Sequence, residues 1–102
     1  MVHLIAFITA HPGKRAELLA AFKGIMPTVH AEDGCIEYQP VVDIDGFAGF
    51  TTPLGPDSYI VVEKWASPDA LRAHAATAHM ADYGRRTKHL IASRVLHVLT
   101  PA

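Results

Sequence analysis

A titratable ring and a large aromatic side chain stand close together at a predicted strand-to-helix junction. Trp65 ends a predicted strand, and His74 follows Leu71 by three residues in the helix predicted after it. Because residues three apart lie on one side of a helix, His74 is predicted to point inward. A proton acceptor beside an apolar wall is what proton transfer on a small apolar substrate requires. The alternative is a core histidine bonded to a backbone carbonyl.

Five further residues are candidate substrate contacts, and each also has a plain structural interpretation. Trp65 would form a pocket wall, and Glu63, on the same strand face, would orient a histidine. Tyr38 and Tyr83 would donate hydrogen bonds to a substrate oxygen, and His79 is the last candidate. The structural alternatives are core packing for the aromatic residues and a surface or interface salt bridge for Glu63.

Seven histidines invite a metal-site hypothesis, but their spacing argues against it. His79 follows His74 by five residues, about 140° around an ideal helix, so the two rings do not share a face. A helix break at Thr77 would make that angle meaningless. The best local cluster is His79 with Asp82 and Tyr83, and no cysteine pair exists. We therefore expect no metal.

Length and composition favour one small domain, spanning residues 1–102. Half of the residues are hydrophobic, and the formal net charge is -1. The chain lacks a long basic run, so we expect neither a nucleic-acid nor a membrane partner. The apolar run Leu4–Ile8 is too short to span a membrane. A single cysteine, Cys35, is typical of a reducing cytoplasm, where we expect the protein to reside.

The first half of the chain predicts a strand, a helix and a second strand. Val2–Ala10 is apolar on both faces, which indicates burial on both. Gly24 and Pro27 predict a kink or an early end of the first helix near Met26. The second strand is predicted at Cys35–Asp45. The first helix starts near Lys14, with its apolar side formed by Leu18, Phe22, Ile25 and Val29.

The second half predicts a strand, two helical pieces and a last strand. A loop at Gly46–Asp57 precedes a strand at Ser58–Trp65. Ser67 is predicted to cap a helix that ends near Ala76. Thr77 is predicted to cap a second piece reaching about Leu90, and a strand at Ser93–Thr100 follows.

The element order predicts a ferredoxin-like α+β fold. Two strand–helix–strand halves form a four-stranded antiparallel sheet with the helices on one face. The helices cover only that face, whereas the first and last strands are apolar on both. A second copy of the chain is the simplest cover, so we predict a homodimer.

Two segments resemble the YgiN-like group of the antibiotic biosynthesis monooxygenase domain family. One is Glu63-Lys64-Trp65 with Ser67-Pro68-Asp69-Ala70-Leu71, His74, Thr77 and His79. The other is Glu32-Asp33-Gly34-Cys35-Ile36-Glu37-Tyr38. The resemblance implies a dimeric α/β barrel with one pocket per subunit, between the sheet and its own helices.

The resemblance also implies a reaction. The oxygenase members of the family use no metal, flavin or haem, and they oxidise an electron-rich phenol or hydroquinone with dioxygen. Haem-degrading relatives use an asparagine on the first strand, which this chain lacks. The leading hypothesis is a cofactor-independent monooxygenase for a quinol-like or polyketide-derived aromatic, with His74 as base or hydrogen-bond partner.

Two other classes of function stay open at this point. One is an isomerase or other proton-transfer enzyme that uses the same histidine without oxygen. The other is a non-catalytic protein whose pocket holds a small hydrophobic molecule. Oxygen consumption with hydroquinones separates the first hypothesis from both, and anaerobic turnover would favour the isomerase.

Overall fold

The computed structural model describes residues 1–102 and consists of one sheet with helices on one of its faces. The strands follow the order β2-β3-β1-β4, and all neighbours are antiparallel. The predicted ferredoxin-like α+β fold is confirmed. In chain order the elements are β1 (Val2–Ala10), α1 (Arg15–His30), β2 (Cys35–Val41), β3 (Ser58–Trp65), α2 (Pro68–Ala75), α3 (Ala78–Thr87), a 3-10 turn (Lys88–Leu90) and β4 (Ile91–Leu99).

The core lies between the helices and alternate residues of the two central strands. Every second residue of β1 and of β3 is buried on this side. The buried residues of α1 are the four that its apolar spacing predicts. These contributions are Val2, Leu4, Ala6, Ile8 and Ala10 from β1, Tyr59, Val61, Glu63 and Trp65 from β3, and Leu18, Phe22, Ile25 and Val29 from α1.

Helix α1 does not end near Met26, so the early end predicted there is wrong. The helix continues through Pro27 to His30. Proline removes one backbone donor, but tertiary contacts hold the last turn in place. Val29 is fully buried, and the His30 ring nitrogen Nε2 lies 2.9 Å from the carbonyl oxygen of Tyr38. Packing against β2 therefore outweighs the local helix-breaking signal.

Strand β2 is shorter than predicted, ending at Val41 rather than Asp45. Beyond it, the Asp43 carboxylate accepts hydrogen bonds from the backbone N–H groups of Leu54 and Gly55, at 2.9 and 3.0 Å. These bonds turn the chain into the loop before β3. The strand lies at the sheet edge, a position that tolerates the missing N–H group of Pro40.

The two helical pieces of the second half are confirmed, and each begins with a side-chain cap. The Ser67 hydroxyl accepts a hydrogen bond from the N–H of Ala70 at 3.1 Å. The Thr77 hydroxyl accepts one from Met80 at 3.3 Å. These caps separate α2 from α3 and change the direction of the chain between them.

The face of the sheet away from the helices remains partly open in one chain. Phe7, Val95 and Leu99 on this face are 42%, 52% and 47% exposed. The expectation that β1 is buried on both faces is therefore not met within a single chain.

No helix combines the length and the apolar character needed to cross a membrane.

Candidate active site

A cavity of about 430 Å³ lies between the sheet and helices α2 and α3. Its volume falls within the range of small-molecule pockets. Most of its lining is apolar, including Leu4 and Ile8 of β1 and Leu96 and Val98 of β4. The titratable side chains that face it are Tyr38, Tyr59, Glu63, His74, Tyr83 and Arg94.

His74 is held rigidly in the last turn of α2 at the wall of this cavity. The residue is 5% exposed. Its ring lies over Trp65, with the ring centroids 4.6 Å apart, and meets Tyr38 edge-on at 5.4 Å. The prediction that His74 points inward is confirmed. Two aromatic neighbours fix the ring plane and leave its two nitrogens to make polar contacts.

Glu32 is the polar partner of His74, a contact that is absent from the predictions made from the sequence. It lies in the turn between α1 and β2. The Nδ1 atom of His74 is 3.1 and 3.0 Å from the two carboxylate oxygens of Glu32. The Nε2 atom of His79 is 2.8 Å from Oε2. An ionised carboxylate only accepts hydrogen bonds, so each of these nitrogens carries its proton and donates it.

The turn that carries Glu32 is pressed against α2 by a glycine. Gly34 has a φ angle of +81°, and a Cβ atom at this position would lie 2.6 Å from the Cβ of Ala70. Its carbonyl oxygen accepts a hydrogen bond from the N–H of Ala66 at 2.8 Å. Only glycine combines this backbone angle with so close an approach. The close contact brings Glu32 within reach of His74.

The second nitrogen of His74, Nε2, faces the cavity. Every fully enclosed side-chain nitrogen or oxygen of the protein has a hydrogen-bond partner. Nε2 of His74 has none, so it is not fully enclosed. Nε2 therefore borders open space, and the open space that His74 lines is the cavity. With the proton held on Nδ1, Nε2 is a free acceptor. This is the arrangement of a general base oriented by a carboxylate.

Glu63 lies in the same cavity but has a different partner. Its Oε1 atom accepts a hydrogen bond from Trp65 Nε1 at 2.9 Å, in a buried position. Burial raises the pKa of Glu63, and the Trp65 hydrogen bond and His74 oppose that shift. The hypothesis that Glu63 orients a histidine therefore lacks support, because Glu32 makes that contact.

Burial, followed by the charges of Glu32 and Glu63, raises the pKa of the Cys35 thiol.

The tyrosines of the cavity are un-ionised hydrogen-bonding groups. Burial is the largest cause that raises the pKa values of Tyr38, Tyr59 and Tyr83. Each hydroxyl therefore keeps its proton at neutral pH, and those of Tyr38 and Tyr83 are able to donate it to a ligand oxygen. Phe22 stacks on Tyr38 with ring centroids 4.9 Å apart and fixes the ring.

Arg94 supplies a positive charge at the β4 side of the cavity. It pairs with Ile8 across the sheet, and its side chain is among the groups that line the cavity. Its charge acts to lower the pKa values of Glu63, Tyr59 and Tyr83. Nothing near Arg94 in the sequence distinguishes it from other surface arginines, so its place at the cavity is not predictable from a local pattern.

Not all residues singled out in the sequence reach the cavity. His74, Tyr38, Tyr83 and Glu63 line it. Trp65 lies behind His74 as a fully buried support, and His79 lies outside, on the far side of Glu32.

The local cluster of His79, Asp82 and Tyr83 does not assemble. Asp82 instead forms an ion pair with Arg86 at 2.8 Å. Glu32 was missed because it is 42 residues before His74, too far for any spacing rule. The only indication of a role for Glu32 in the sequence is its position at the start of the family-like segment 32–38.

Most of the chain matches a known protein family. A family model described as antibiotic biosynthesis monooxygenase matches residues 1–86. The chain belongs to the antibiotic biosynthesis monooxygenase family. Membership supports a monooxygenase-type function. The match includes Glu32, His74 and His79 but ends before β4, so Arg94 lies outside it.

Several bacterial proteins resemble the chain along nearly its full length. The probable quinol monooxygenase YgiN of Escherichia coli K12 is 36% identical over 103 residues, covering 99% of this chain and 98% of YgiN. The crystal structure of PA3566 from Pseudomonas aeruginosa superposes with a TM-score of 0.80 at 25% identity, covering 99% and 93% of the two chains. Rv0793 from Mycobacterium tuberculosis gives a TM-score of 0.79 at 25% identity, covering 99% and 94%.

Proposed function

We propose that the chain is a cofactor-independent monooxygenase that oxidises a quinol-like or polyketide-derived aromatic with dioxygen. Family membership supports the reaction class, and the name of the Escherichia coli relative points to quinols. The observation that carries the proposal is the pairing of Glu32 with His74 at the wall of an apolar cavity. It supplies an oriented base where a flat aromatic would bind.

The proposed reaction begins with proton transfer. Nε2 of His74 takes a phenolic proton, and the imidazolium that forms is stabilised by the carboxylate of Glu32. The resulting phenolate gives one electron to dioxygen, and the two radicals join at a ring carbon as a peroxide. Loss of water from that peroxide yields a hydroxyquinone. One oxygen atom enters the product, the other leaves as water, and the substrate supplies all four electrons.

Other cavity residues would hold the substrate and its anion. The Tyr38 hydroxyl, kept protonated by burial, would donate to a substrate oxygen. The charge of Arg94 at the β4 side would stabilise the phenolate and the reduced oxygen species. The apolar walls would exclude water, which strengthens these interactions and limits release of superoxide.

The proposal also covers the oligomeric state of the protein and its location in the cell. Residues 1–102 would act as one domain in the cytoplasm, in a homodimer that forms an α/β barrel through the open face of the sheet. The exposed apolar side chains of that face support the dimer. Proposed partners are therefore a second copy of the chain, a small hydrophobic aromatic substrate and dioxygen.

Oxygen consumption with a panel of hydroquinones tests the reaction. The expected result is enzyme-dependent oxygen uptake, with one atom from ¹⁸O₂ in the product and one in water. Turnover of a substrate under strict anaerobiosis would instead identify a proton-transfer enzyme such as an isomerase. Tight binding of hydroquinones without turnover would identify a binding protein.

Replacing the proposed base gives a second test. We predict that His74→Ala lowers turnover by about 10²-fold or more, because general-base catalysis contributes that much. His89→Ala is the matched control, since His89 is exposed and lies outside the cavity. Circular dichroism of both variants establishes that they fold. Unchanged turnover in folded His74→Ala would remove this residue from the mechanism.

A further inference from the structure

The cluster around Glu32 extends beyond the cavity and includes His79, which the proposed reaction does not use. Glu32, His74 and His79 lie on three different elements, namely the α1–β2 turn, α2 and α3. One carboxylate oxygen, Oε2 of Glu32, is 3.0 Å from Nδ1 of His74 and 2.8 Å from Nε2 of His79. The break at Thr77 brings the two rings together despite their unfavourable spacing on a continuous helix.

The geometry points to a divalent transition-metal site formed by Glu32, His74 and His79, with Zn²⁺ as the ion that fits best. One potential ligand atom from each residue lies within 4.8 Å of the others. Bonds of about 2.0–2.2 Å to a tetrahedral ion place ligand atoms roughly 3.3–3.6 Å apart. The two nitrogen-to-oxygen separations, 3.0 and 2.8 Å, are shorter than this, so the ligand atoms must move apart by a few tenths of an ångström to admit the ion. The remaining adjustment falls on His79, whose side chain is 31% exposed and so has room to move.

The donor set favours zinc over the common hard cations. Two imidazoles and one carboxylate form the His₂Glu set of open zinc sites, with water as the fourth ligand. Calcium and magnesium prefer all-oxygen sites with six or more ligands. The carboxylate adds a negative charge that offsets part of the charge of the ion. This site was not expected from the sequence, because its carboxylate is remote from both histidines.

A metal at this place would change the proton position on His74. To bind a metal, Nδ1 must give up its proton, and a neutral imidazole then carries its one proton on Nε2. Nε2 would change from an acceptor into a donor on the cavity side. This consequence, inhibition of turnover by Zn²⁺, rests on the proposed function. Binding of the metal itself does not depend on that function.

Calorimetric titration with ZnCl₂ and absorption spectroscopy with CoCl₂ test the site on the full chain. The expected result is one ion per chain, and visible Co²⁺ bands of the intensity typical of four-coordinate sites. His79→Ala should weaken the affinity by at least tenfold. His79 does not line the cavity, so this variant keeps the proposed base and pocket. His89→Ala, which removes an exposed histidine 3.9 Å from Glu17, should bind as the wild type does.

The outcomes separate the two proposals. Loss of affinity in His79→Ala but not in His89→Ala supports the metal site, whether or not any hydroquinone is turned over. Equal affinity in both variants, or no stoichiometric binding, overturns it. If turnover is observed, Zn²⁺ should inhibit the wild type and should inhibit His79→Ala at least tenfold less effectively. Turnover unaffected by bound Zn²⁺ would contradict the predicted change on His74.

Discussion

Glu32 determines what His74 is able to do, although it never touches the cavity. Its carboxylate fixes the proton on Nδ1 and so leaves Nε2 as the acceptor that faces the cavity. A carboxylate in this position orients the base and stabilises its charged form. Glu32 is therefore a positioning residue in the proposed reaction, whereas His74 contacts the substrate.

The first prediction at the residue scale concerns this carboxylate. We expect Glu32→Ala to lower kcat by about 10- to 100-fold with little change in KM, because the binding cavity stays intact. Glu32→Gln keeps one acceptor oxygen without the charge, so its kcat should lie between that of the wild type and that of Glu32→Ala. Steady-state oxygen uptake measures both constants. A rise in KM at constant kcat would show that Glu32 serves binding or structure instead.

A second prediction concerns the buried carboxyl of Glu63. Burial raises its pKa above the ordinary value of 4.5, so the folded protein holds this proton more tightly than the unfolded chain. The unfolding free energy of the wild type should therefore fall relative to Glu63→Gln as pH rises above about 4.5. The amide still accepts from Trp65. Urea unfolding of both proteins between pH 4 and 8 measures the difference.

Glu37, in the neighbouring strand β2, provides a control because its pKa is shifted in the direction opposite to that of Glu63. Its pKa is lowered, chiefly by a hydrogen bond from Lys64, which lies 2.9 Å away. Its contribution to stability is present above pH 4.5 and is lost as pH falls through the lowered pKa. Glu37→Gln should thus be less stable than wild type near neutrality and equal to it at low pH. The same pH trend in both variants would contradict the assignment for Glu63.

Sequence reasoning reached some of these residues and not others, for a physical reason. His74 was predictable because helix periodicity decides which way a side chain points. Glu32 and Arg94 contribute through contacts with residues far away in the chain. No local pattern records such contacts, and only the fold brings these groups to the site.

At the scale of elements, the site depends on how closely the α1–β2 turn packs on α2. Gly34 makes this possible, and we predict that Gly34→Ala lowers the free energy of unfolding by about 2–4 kcal/mol. The cost combines a left-handed backbone angle with overlap against Ala70. Turnover should also fall, because the turn must move and Glu32 moves with it. Chemical denaturation and oxygen uptake measure the two effects.

Gly13→Ala separates the cost of the left-handed backbone angle from the cost of the overlap with Ala70. Gly13 has a similar φ angle of +78°, but no atom lies within 4 Å of a Cβ built there. This control should cost only about 1 kcal/mol, the backbone part, and should leave turnover unchanged. Adding Ala70→Gly to Gly34→Ala removes the overlap and should restore most of the activity. Equal costs for the two single variants would show that the contact with Ala70 does not matter.

The elements themselves were largely predictable, and the errors have specific causes. Ser67 and Thr77 were recognised as caps because a hydroxyl at a helix start satisfies a free N–H group. Pro27 misled the prediction because a local rule ignores the tertiary contacts that hold the last turn of α1. Val41 ends β2 early because Asp43 binds the backbone of the following loop.

At the scale of the whole molecule, the open face of the sheet governs assembly. We predict that Val95→Glu converts the proposed dimer into a monomer, because Val95 is exposed in one chain and would be buried between two. Light scattering coupled to gel filtration at micromolar concentration measures the mass. Val42→Glu makes the same chemical change outside the strands and should remain dimeric. A wild-type monomer would refute the proposed assembly.

The half-buried thiol of Cys35 has a consequence for how the protein would survive its own reaction. Quinones are electrophiles that add to thiolates, and the thiolate rather than the thiol is the reactive form. Burial and the charges of Glu32 and Glu63 keep Cys35 protonated. The carboxylate that orients the base would thus also shield the chain's one cysteine from arylation by the product. In an enzyme built this way, the product quinone would arylate Cys35 more slowly than it would a fully exposed cysteine.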